Sequence, residues 1–182
     1  MLPPIIQTER LTLRPCKSVD VVQLREILSD PDVMIYSGLD VNDYMKNAED
    51  ELQWFNHLDA GDSGIRWVIS LKDHDHYIGD LGFLEIDHGN KRAEVSYKLT
   101  QNNWNKGLMT EALKTILKYG FTELGLNKVT AQVHTDNHVS QHLLKKLGFT
   151  VEGTLREHEY LYGQYADVTI FGLLKREQKT SS

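Results

Sequence analysis

Residues 93–113 read AEVSYKLTQNNWNKGLMTEAL, and this stretch joins a strand pattern to a helix pattern through a glycine-containing loop. Apolar and polar residues alternate from Glu94 to Thr100, which predicts a β-strand. From Met109 onward, apolar residues recur at a helical spacing, which predicts an amphipathic helix running to about residue 124. The loop between them, Trp104 to Thr110, exposes backbone N–H groups at a helix start, and Gly107 permits close approach of a ligand. The stretch therefore predicts an anion-binding loop.

This loop differs from the common nucleotide-binding motifs. The chain contains no G-x-G-x-x-G fingerprint and no GKS or GKT sequence, so neither a dinucleotide-binding fingerprint nor a P-loop is indicated. Lys106 adds a positive charge beside Gly107. Taken alone, the loop fits an ordinary strand-to-helix connection as well as an anion site.

The remaining periodicity predicts an α+β (mixed α/β) fold in the order β-α-α-β-β-β-α-β-α-β-β. Strands are expected over residues 10–14, 65–71, 77–86, 94–100, 127–135, 150–161 and 165–174. Helices are expected over about 18–28, 42–58, 109–124 and 139–147. This pattern predicts a single mixed sheet of seven strands with about four helices packed on it. We expect one domain over residues 1–176 and a short polar tail over 177–182.

Composition excludes several classes of protein. The 182 residues include 20 Lys and Arg against 26 Asp and Glu, a net charge of −6, whereas DNA binding normally needs a basic face. The one cysteine, Cys16, permits no internal disulfide and no C-x-x-C site. His138 and His142 lack an evident third ligand, so no metal is expected. The chain shows neither a signal-like start nor an apolar run of spanning length, and we expect a cytoplasmic protein without a membrane partner.

Several motifs together resemble the GNAT acetyltransferases, and in particular their RimJ/RimL-like subgroup, which acetylates N-terminal amines of ribosomal proteins. The resemblance rests on the strand and loop quoted above, and on TERLTLRP at 8–15, DNHVS at 136–140, LGF at 147–149, EG at 152–153, LR at 155–156 and GQYADV at 163–168. It covers nearly the whole chain. It implies the GNAT fold, with a central, mostly antiparallel seven-stranded sheet that is splayed at the cofactor site. It also implies acetyl-CoA as cofactor, bound between the strands of Leu99 and Val133.

The resemblance also implies which residues bind the cofactor. They are Leu99, Thr100, Asn105, Lys106, Gly107, Leu108, Met109, Thr110, Asn137 and Ser140. The loop departs from the general family pattern at two places, since Trp104 replaces the usual Gln or Arg and Met109 replaces the last small residue. Asn137 also fits the N-cap of the following helix.

Three side chains are candidates for the chemistry. Ser140 matches the family position that faces the cofactor sulfur, although a first-turn serine can instead satisfy a backbone group. Glu159 matches the carboxylate proposed as base in RimL-like enzymes, or is an exposed strand residue. Glu94 is a second candidate base, or a structural carboxylate. Direct attack of an amine on the thioester needs such a base and a polarised carbonyl.

The sequence leaves the acceptor open. A protein N-terminal α-amine, of the ribosomal-protein type, is the first hypothesis, and a polyamine or aminoglycoside is the second. A non-catalytic acyl-CoA-binding module is the third. An acidic flank would attract either kind of cation, and its members are Asp30, Asp32, Asp40, Asp43, Glu49, Asp50 and Glu51. A homodimer is left open as the assembly.

Overall fold

The computed structural model describes residues 2–37, 48–60 and 63–178. The strands are β1 (Ile6–Gln7), β2 (Leu11–Arg14), β3 (Ile65–Leu71), β4 (His74–Asp87), β5 (Arg92–Leu99), β6 (Lys128–His134), β7 (Thr150–Leu161) and β8 (Gln164–Leu174). The α-helices of the described ranges are α1 (Val21–Leu28), α2 (Pro31–Met34), α3 (Ala48–Ala60), α4 (Leu108–Thr122) and α5 (His138–Lys146). Short 3₁₀ turns lie at Ser18–Asp20, Gln101–Asn103 and Lys175–Glu177.

The strands form one sheet in the order β1-β2-β3-β4-β5-β6-β8-β7. Every recorded pairing is antiparallel except that of β5 with β6. The predicted mixed fold with a mostly antiparallel sheet is therefore confirmed. The sheet has one strand more than expected because β1 contains two residues, too few for an alternating pattern to be recognised.

Other elements also differ from the prediction, and the helix expected from residue 18 begins with the 3₁₀ turn Ser18–Asp20. Asp30, expected only to break a helix, also starts α2, since its carboxylate accepts from the backbone N–H of Asp32 at 3.0 Å and Pro31 takes the first helical position. Strand β4 is longer than the predicted 77–86 at both ends. The predicted helix over 42–58 is described only from Ala48 and extends to Ala60. Residues 42–47 and 179–182 lie outside the described residues.

The sheet is covered on both faces. The larger core lies between the sheet and α4, where Trp67, Phe83 and Phe121 are fully buried. The smaller core lies on the opposite face, where Leu24 of α1 packs with Val68 and other side chains of the sheet. Successive residues of a strand point to opposite faces, so β3 contributes to both cores.

The sheet opens between β5 and β6. Their parallel pairing spans only Arg92–Glu94 against Lys128–Thr130, and no pairing is recorded beyond it in the described strands. Backbone groups of an antiparallel strand point alternately to its two neighbours. Because the Thr100 N–H donates to the Ile78 carbonyl on the β4 side at 2.8 Å, the main-chain groups of Tyr97 and Leu99 face the opening. The fold thus presents free strand edges inside the sheet.

Candidate active site

A cleft of about 1230 Å³ occupies this opening. Its walls come from β5, β6, β7, the first turn of α4 and helix α5, together with residues of α2 and α3. Ten of the predicted site residues line it: Glu94, Leu99, Asn105, Gly107, Leu108, Met109, Thr110, Asn137, Ser140 and Glu159. The side chains of Thr100 and Lys106 are not among its lining residues.

The loop before α4 has the backbone form that an anion site requires. Gly107 is left-handed, with φ of 73°, and is the N-cap of α4. Asn105 is also left-handed, with φ of 59°, a conformation that asparagine tolerates better than most residues. The first backbone N–H groups of a helix have no partner within it, so the start of α4 offers donors to the cleft. These donors, and the helix dipole, suit an anionic group such as a diphosphate.

The loop is braced from outside by the N-terminal segment. The Glu111 carboxylate, on the first turn of α4, accepts from the Thr8 hydroxyl at 2.6 Å and from the Arg10 Nε at 2.7 Å. The Arg10 Nη1 also donates to the Lys106 carbonyl at 2.8 Å. Burial alone would raise the pKa of Glu111, but the hydrogen bonds from Thr8 and Arg10 lower it. Thr8 and Arg10 thus hold the loop, a role that sequence reasoning did not assign.

Two side-chain hydrogen bonds fix the segment between β5 and the loop. The Trp104 indole N–H donates to the Leu99 carbonyl at 2.7 Å. The Thr100 hydroxyl accepts from the Asn103 amide at 2.8 Å. Trp104, which replaces the usual first residue of the family loop, therefore fixes the end of β5 relative to the loop. The Leu99 carbonyl, one of its two main-chain groups on the cleft side, is used in this way. The other group, the Leu99 N–H, faces the cleft.

Ser140 lies on the first turn of α5, directly across the opening from β5. The Asn137 side chain accepts from the Ser140 N–H at 3.0 Å and so caps the helix, as its sequence position allows. The Ser140 hydroxyl is 2.6 Å from the Tyr97 hydroxyl of β5. This contact joins β5 to α5 across the opening of the sheet. Tyr97 lines the cleft and was not among the predicted site residues.

Glu159 reaches the cleft because β7 is irregular. Leu155 pairs with Val168 and Glu159 with Ala166, so β7 has two extra residues over this interval, and Glu157 there is left-handed with φ of 51°. Such bulges redirect side chains. The Glu159 carboxylate lies 2.6 Å from the Nε2 of His134 at the end of β6.

The partner of Glu159 was missed by sequence reasoning. The His134 side chain is only 12% exposed, and its ring packs against Tyr36 with centroids 5.8 Å apart. Nothing in the sequence places His134 near a residue 25 positions later, because that contact depends on the β6-β8-β7 order. A histidine at the end of a strand beside the opening was the one signal available.

Glu94 lies at the point where β5 and β6 separate. Its carboxylate accepts from the Gln132 side-chain amide at 2.8 Å. Burial raises the pKa of Glu94, and the negative charges of Glu85 and Glu159 raise it further, against the Gln132 bond. Glu94, Gln132 and His134 alternate with buried residues along their strands and share one face. The candidate bases therefore lie on the face opposite to Tyr97.

Charged side chains form a buried network on the sheet face that carries Glu94. Asp80 is fully buried and accepts from the Arg66 Nε at 2.7 Å and from the Tyr77 hydroxyl. Lys98 is 3.4 Å from Asp80 and 2.6 Å from Glu51 of α3. Burial alone would raise the pKa of Asp80, but the charges of Arg66 and Lys98 lower it. The network links α3 to the sheet and balances its own charges.

Three other features bear on function: the Cys16 thiol, metal-binding clusters and membrane-spanning helices. Burial raises the pKa of the Cys16 thiol to about 12, so little of it is in the nucleophilic thiolate form at neutral pH. Within 2–37, 48–60 and 63–178, no three His, Cys, Asp or Glu side chains are grouped to hold a metal ion. In the same ranges, no helix has the length and apolar character needed to cross a bilayer.

Comparison with known proteins places these features in a family. Residues 10–150 match the acetyltransferase (GNAT) domain. The chain is 41% identical over 172 residues to the uncharacterized N-acetyltransferase p20 of Bacillus licheniformis, covering 94% of this chain and 97% of that protein.

Two solved structures share the fold. One is RimL, the ribosomal L7/L12 α-N-protein acetyltransferase, in complex with coenzyme A, with a TM-score of 0.84, 21% identity and coverage of 94% and 98%. The other is a spermidine N-acetyltransferase from Vibrio cholerae in complex with CoA and spermine, with a TM-score of 0.83, 24% identity and coverage of 93% and 98%.

The chain therefore belongs to the GNAT acetyltransferase family. Membership makes it an acyltransferase enzyme whose cofactor is acetyl-CoA. The resemblance drawn from the sequence motifs is confirmed.

Proposed function

We propose that this enzyme transfers the acetyl group of acetyl-CoA to the α-amine of a protein N-terminus, of the ribosomal-protein type. The observation that carries the proposal is the arrangement of the cleft. The cofactor loop and Ser140 lie on one side of the opened sheet, and Glu94 and Glu159 lie on the other. The likeness of the fold to RimL supports the choice of acceptor.

An α-amine suits carboxylate bases of this kind. The reference pKa of an N-terminal amine is about 8, and that of a lysine amine is about 10.4. Deprotonation at pH 7 therefore costs about 1.4 kcal/mol for the first and about 4.6 kcal/mol for the second. The smaller cost is within reach of a carboxylate acting directly or through water.

The roles follow from where each group lies. Acetyl-CoA supplies an activated thioester when bound. The backbone N–H groups at the start of α4 hold its diphosphate, and the Leu99 N–H points into the cleft, where it would polarise the acetyl carbonyl. Glu159, or Glu94 beside it, takes the proton of the incoming amine. The Ser140 hydroxyl donates a hydrogen bond to the departing sulfur.

A second acceptor class, a small polyamine, is favoured by one observation. The cleft is also lined by Asp32 and Asp50, in addition to Glu94 and Glu159, and an excess of carboxylates attracts cations. The Vibrio cholerae structure named above contains spermine. Asp40 and Asp43 of the predicted acidic flank lie outside the described residues. Family membership removes the non-catalytic module from the alternatives.

The two acceptor classes are separated by measuring coenzyme A release. A panel of peptides with free N-termini is compared with the same peptides blocked at the N-terminus, and with spermidine, spermine and an aminoglycoside. Turnover confined to free N-termini is the expected result. Turnover only with the polyamines would replace the first proposal with the second.

The role of Glu159 is tested with a matched pair of variants. Glu159→Gln should lower kcat at least tenfold, because the amide cannot take a proton. Glu152→Gln, on the same strand and on the surface beside Lys128, should leave kcat within twofold of the wild type. Equal effects of the two substitutions would remove Glu159 from the mechanism.

A further inference from the structure

Tyr97 and Ser140 form a pair of hydroxyls whose contact is not evident from the sequence. They are 43 positions apart in the chain and 2.6 Å apart in space. Tyr97 comes from β5 and Ser140 from α5, so the bond bridges the opening of the sheet. Both residues line the cleft.

The chemistry of the two groups sets the direction of the bond. Burial raises the pKa of Tyr97 to about 12, so its phenol stays protonated at neutral pH. A phenol is a stronger acid than an aliphatic alcohol and is the better donor, which makes Tyr97 the donor and the Ser140 oxygen the acceptor. A serine hydroxyl has one hydrogen and two lone pairs. Its hydrogen is therefore directed away from Tyr97.

We propose that Tyr97 is a positioning residue, which turns the Ser140 hydrogen toward the sulfur of coenzyme A. The inference rests on the proposed function, in which Ser140 donates to that sulfur. Tyr97 keeps its own proton throughout, since a thiol, with a reference pKa of about 8.5, is a much stronger acid than this phenol. The Ser140 N–H bond to Asn137 holds the serine backbone while Tyr97 sets its hydroxyl.

The proposal is tested by binding, without turnover. Calorimetric titrations compare coenzyme A, which has a thiol, with acetyl-CoA, which has none, at pH 7 and pH 9.5. A hydrogen bond to an anion is stronger than one to a neutral group. In the wild type, affinity for coenzyme A should therefore rise about tenfold relative to acetyl-CoA as the thiol ionises. Other charged or titratable groups that line the cleft also act on the thiolate; they are His142 and Lys146 on α5, and Glu94, Lys98, His134 and Glu159 on the strands. The roles of Tyr97 and Ser140 are therefore measured from the change that each variant makes in this ratio.

Two variants and their combination distinguish positioning from simple packing. Tyr97→Phe should reduce the tenfold gain to about threefold or less, and Ser140→Ala should abolish it. The double variant should match Ser140→Ala within twofold, because a positioning residue has no effect once its target is gone. Tyr119→Phe is the control, since Tyr119 packs edge-on against Trp67 and does not line the cleft; its gain should equal that of the wild type.

Kinetic measurements and a second substitution provide independent checks of the role of Tyr97. Tyr97→Phe should lower kcat three- to tenfold and leave the KM for acetyl-CoA within twofold. Should Tyr97→Phe unfold, Tyr97→Met keeps an apolar side chain and removes the hydroxyl, so the gain should again fall to about threefold or less. An unchanged gain in either substitution overturns the role of Tyr97 alone. Failure of the wild type to bind either ligand overturns the proposed function with it.

Discussion

Replacing Arg10 with methionine tests whether the cofactor loop depends on its external brace. The substitution keeps an apolar stem like that of arginine but removes the guanidinium group. The hydrogen bonds to the Lys106 carbonyl and the Glu111 carboxylate are lost with it. Hydrogen bonds that involve charged groups contribute about 1.5–3 kcal/mol when well shielded. The Arg10 side chain is 45% exposed, so solvent screening reduces the contribution of the pair to about 1 kcal/mol or less.

The expected magnitudes follow from these contacts. With about 1 kcal/mol more for the bond to the loop carbonyl, Arg10→Met should lower the free energy of unfolding by about 1–2 kcal/mol. For a chain of this size, the melting temperature should fall by about 2–6 °C. Because the loop loses part of its positioning, the Kd for acetyl-CoA should rise about fivefold, equivalent to about 1 kcal/mol.

The assay combines thermal unfolding with calorimetric titration of acetyl-CoA. Arg92→Met is the matched control, because Arg92 is 61% exposed and pairs with Asp87 on the β4–β5 hairpin. The control should bind acetyl-CoA like the wild type. A reduced melting temperature in Arg10→Met without any change in Kd would refute the brace, since the loop would then keep its form without Arg10.

Three further substitutions test other parts of the site. Gly107→Ala should destabilise the protein by about 1–2 kcal/mol, through the left-handed backbone; thermal unfolding measures this, and Gly107→Asn should be milder. Asp80→Asn should cost about 3–5 kcal/mol in denaturant unfolding, because Arg66 and Lys98 lose their buried partner. The pKa of Asp80 is lowered in the folded wild type. Its contribution to stability is therefore present at pH values above the unfolded-state pKa and is lost as the pH falls. An equally steep loss of stability at acidic pH in the variant would contradict this. Trp104→Phe removes the hydrogen bond to the end of β5 and should weaken acetyl-CoA binding about fivefold. An unchanged Kd in calorimetric titration would show that this hydrogen bond does not contribute to cofactor binding.

Sequence reasoning reached the parts of the site that are local in the chain. The Gly107 loop and its helix follow from residues that are adjacent, and the cap formed by Asn137 follows from a spacing of three residues. The bounds of β3, residues 65–71, were predicted correctly because alternation along one strand needs no knowledge of the rest of the fold. Position along one element is sufficient in each case.

The parts that were missed depend on contacts between distant elements. The bond of Tyr97 to Ser140 needs the separation of β5 from β6, and the contact of His134 with Glu159 needs β8 inserted between β6 and β7. The two extra residues of β7 leave no periodic signature, because a bulge shifts the alternation only over a short interval. Such features become visible only when the order of the strands is known.

The separation of β5 from β6 also allows backbone amide hydrogens beside the opening to report cofactor binding. The amide hydrogens of Tyr97 and Leu99 face the opening, while that of Thr100 is bonded to Ile78. The amide-bearing arm of coenzyme A can act as a surrogate strand, supplying partners where the polypeptide has none. Deuterium uptake at Tyr97 and Leu99 should then slow when the coenzyme is added and stay constant at Thr100, which would let occupancy be followed without an acceptor or a turnover assay.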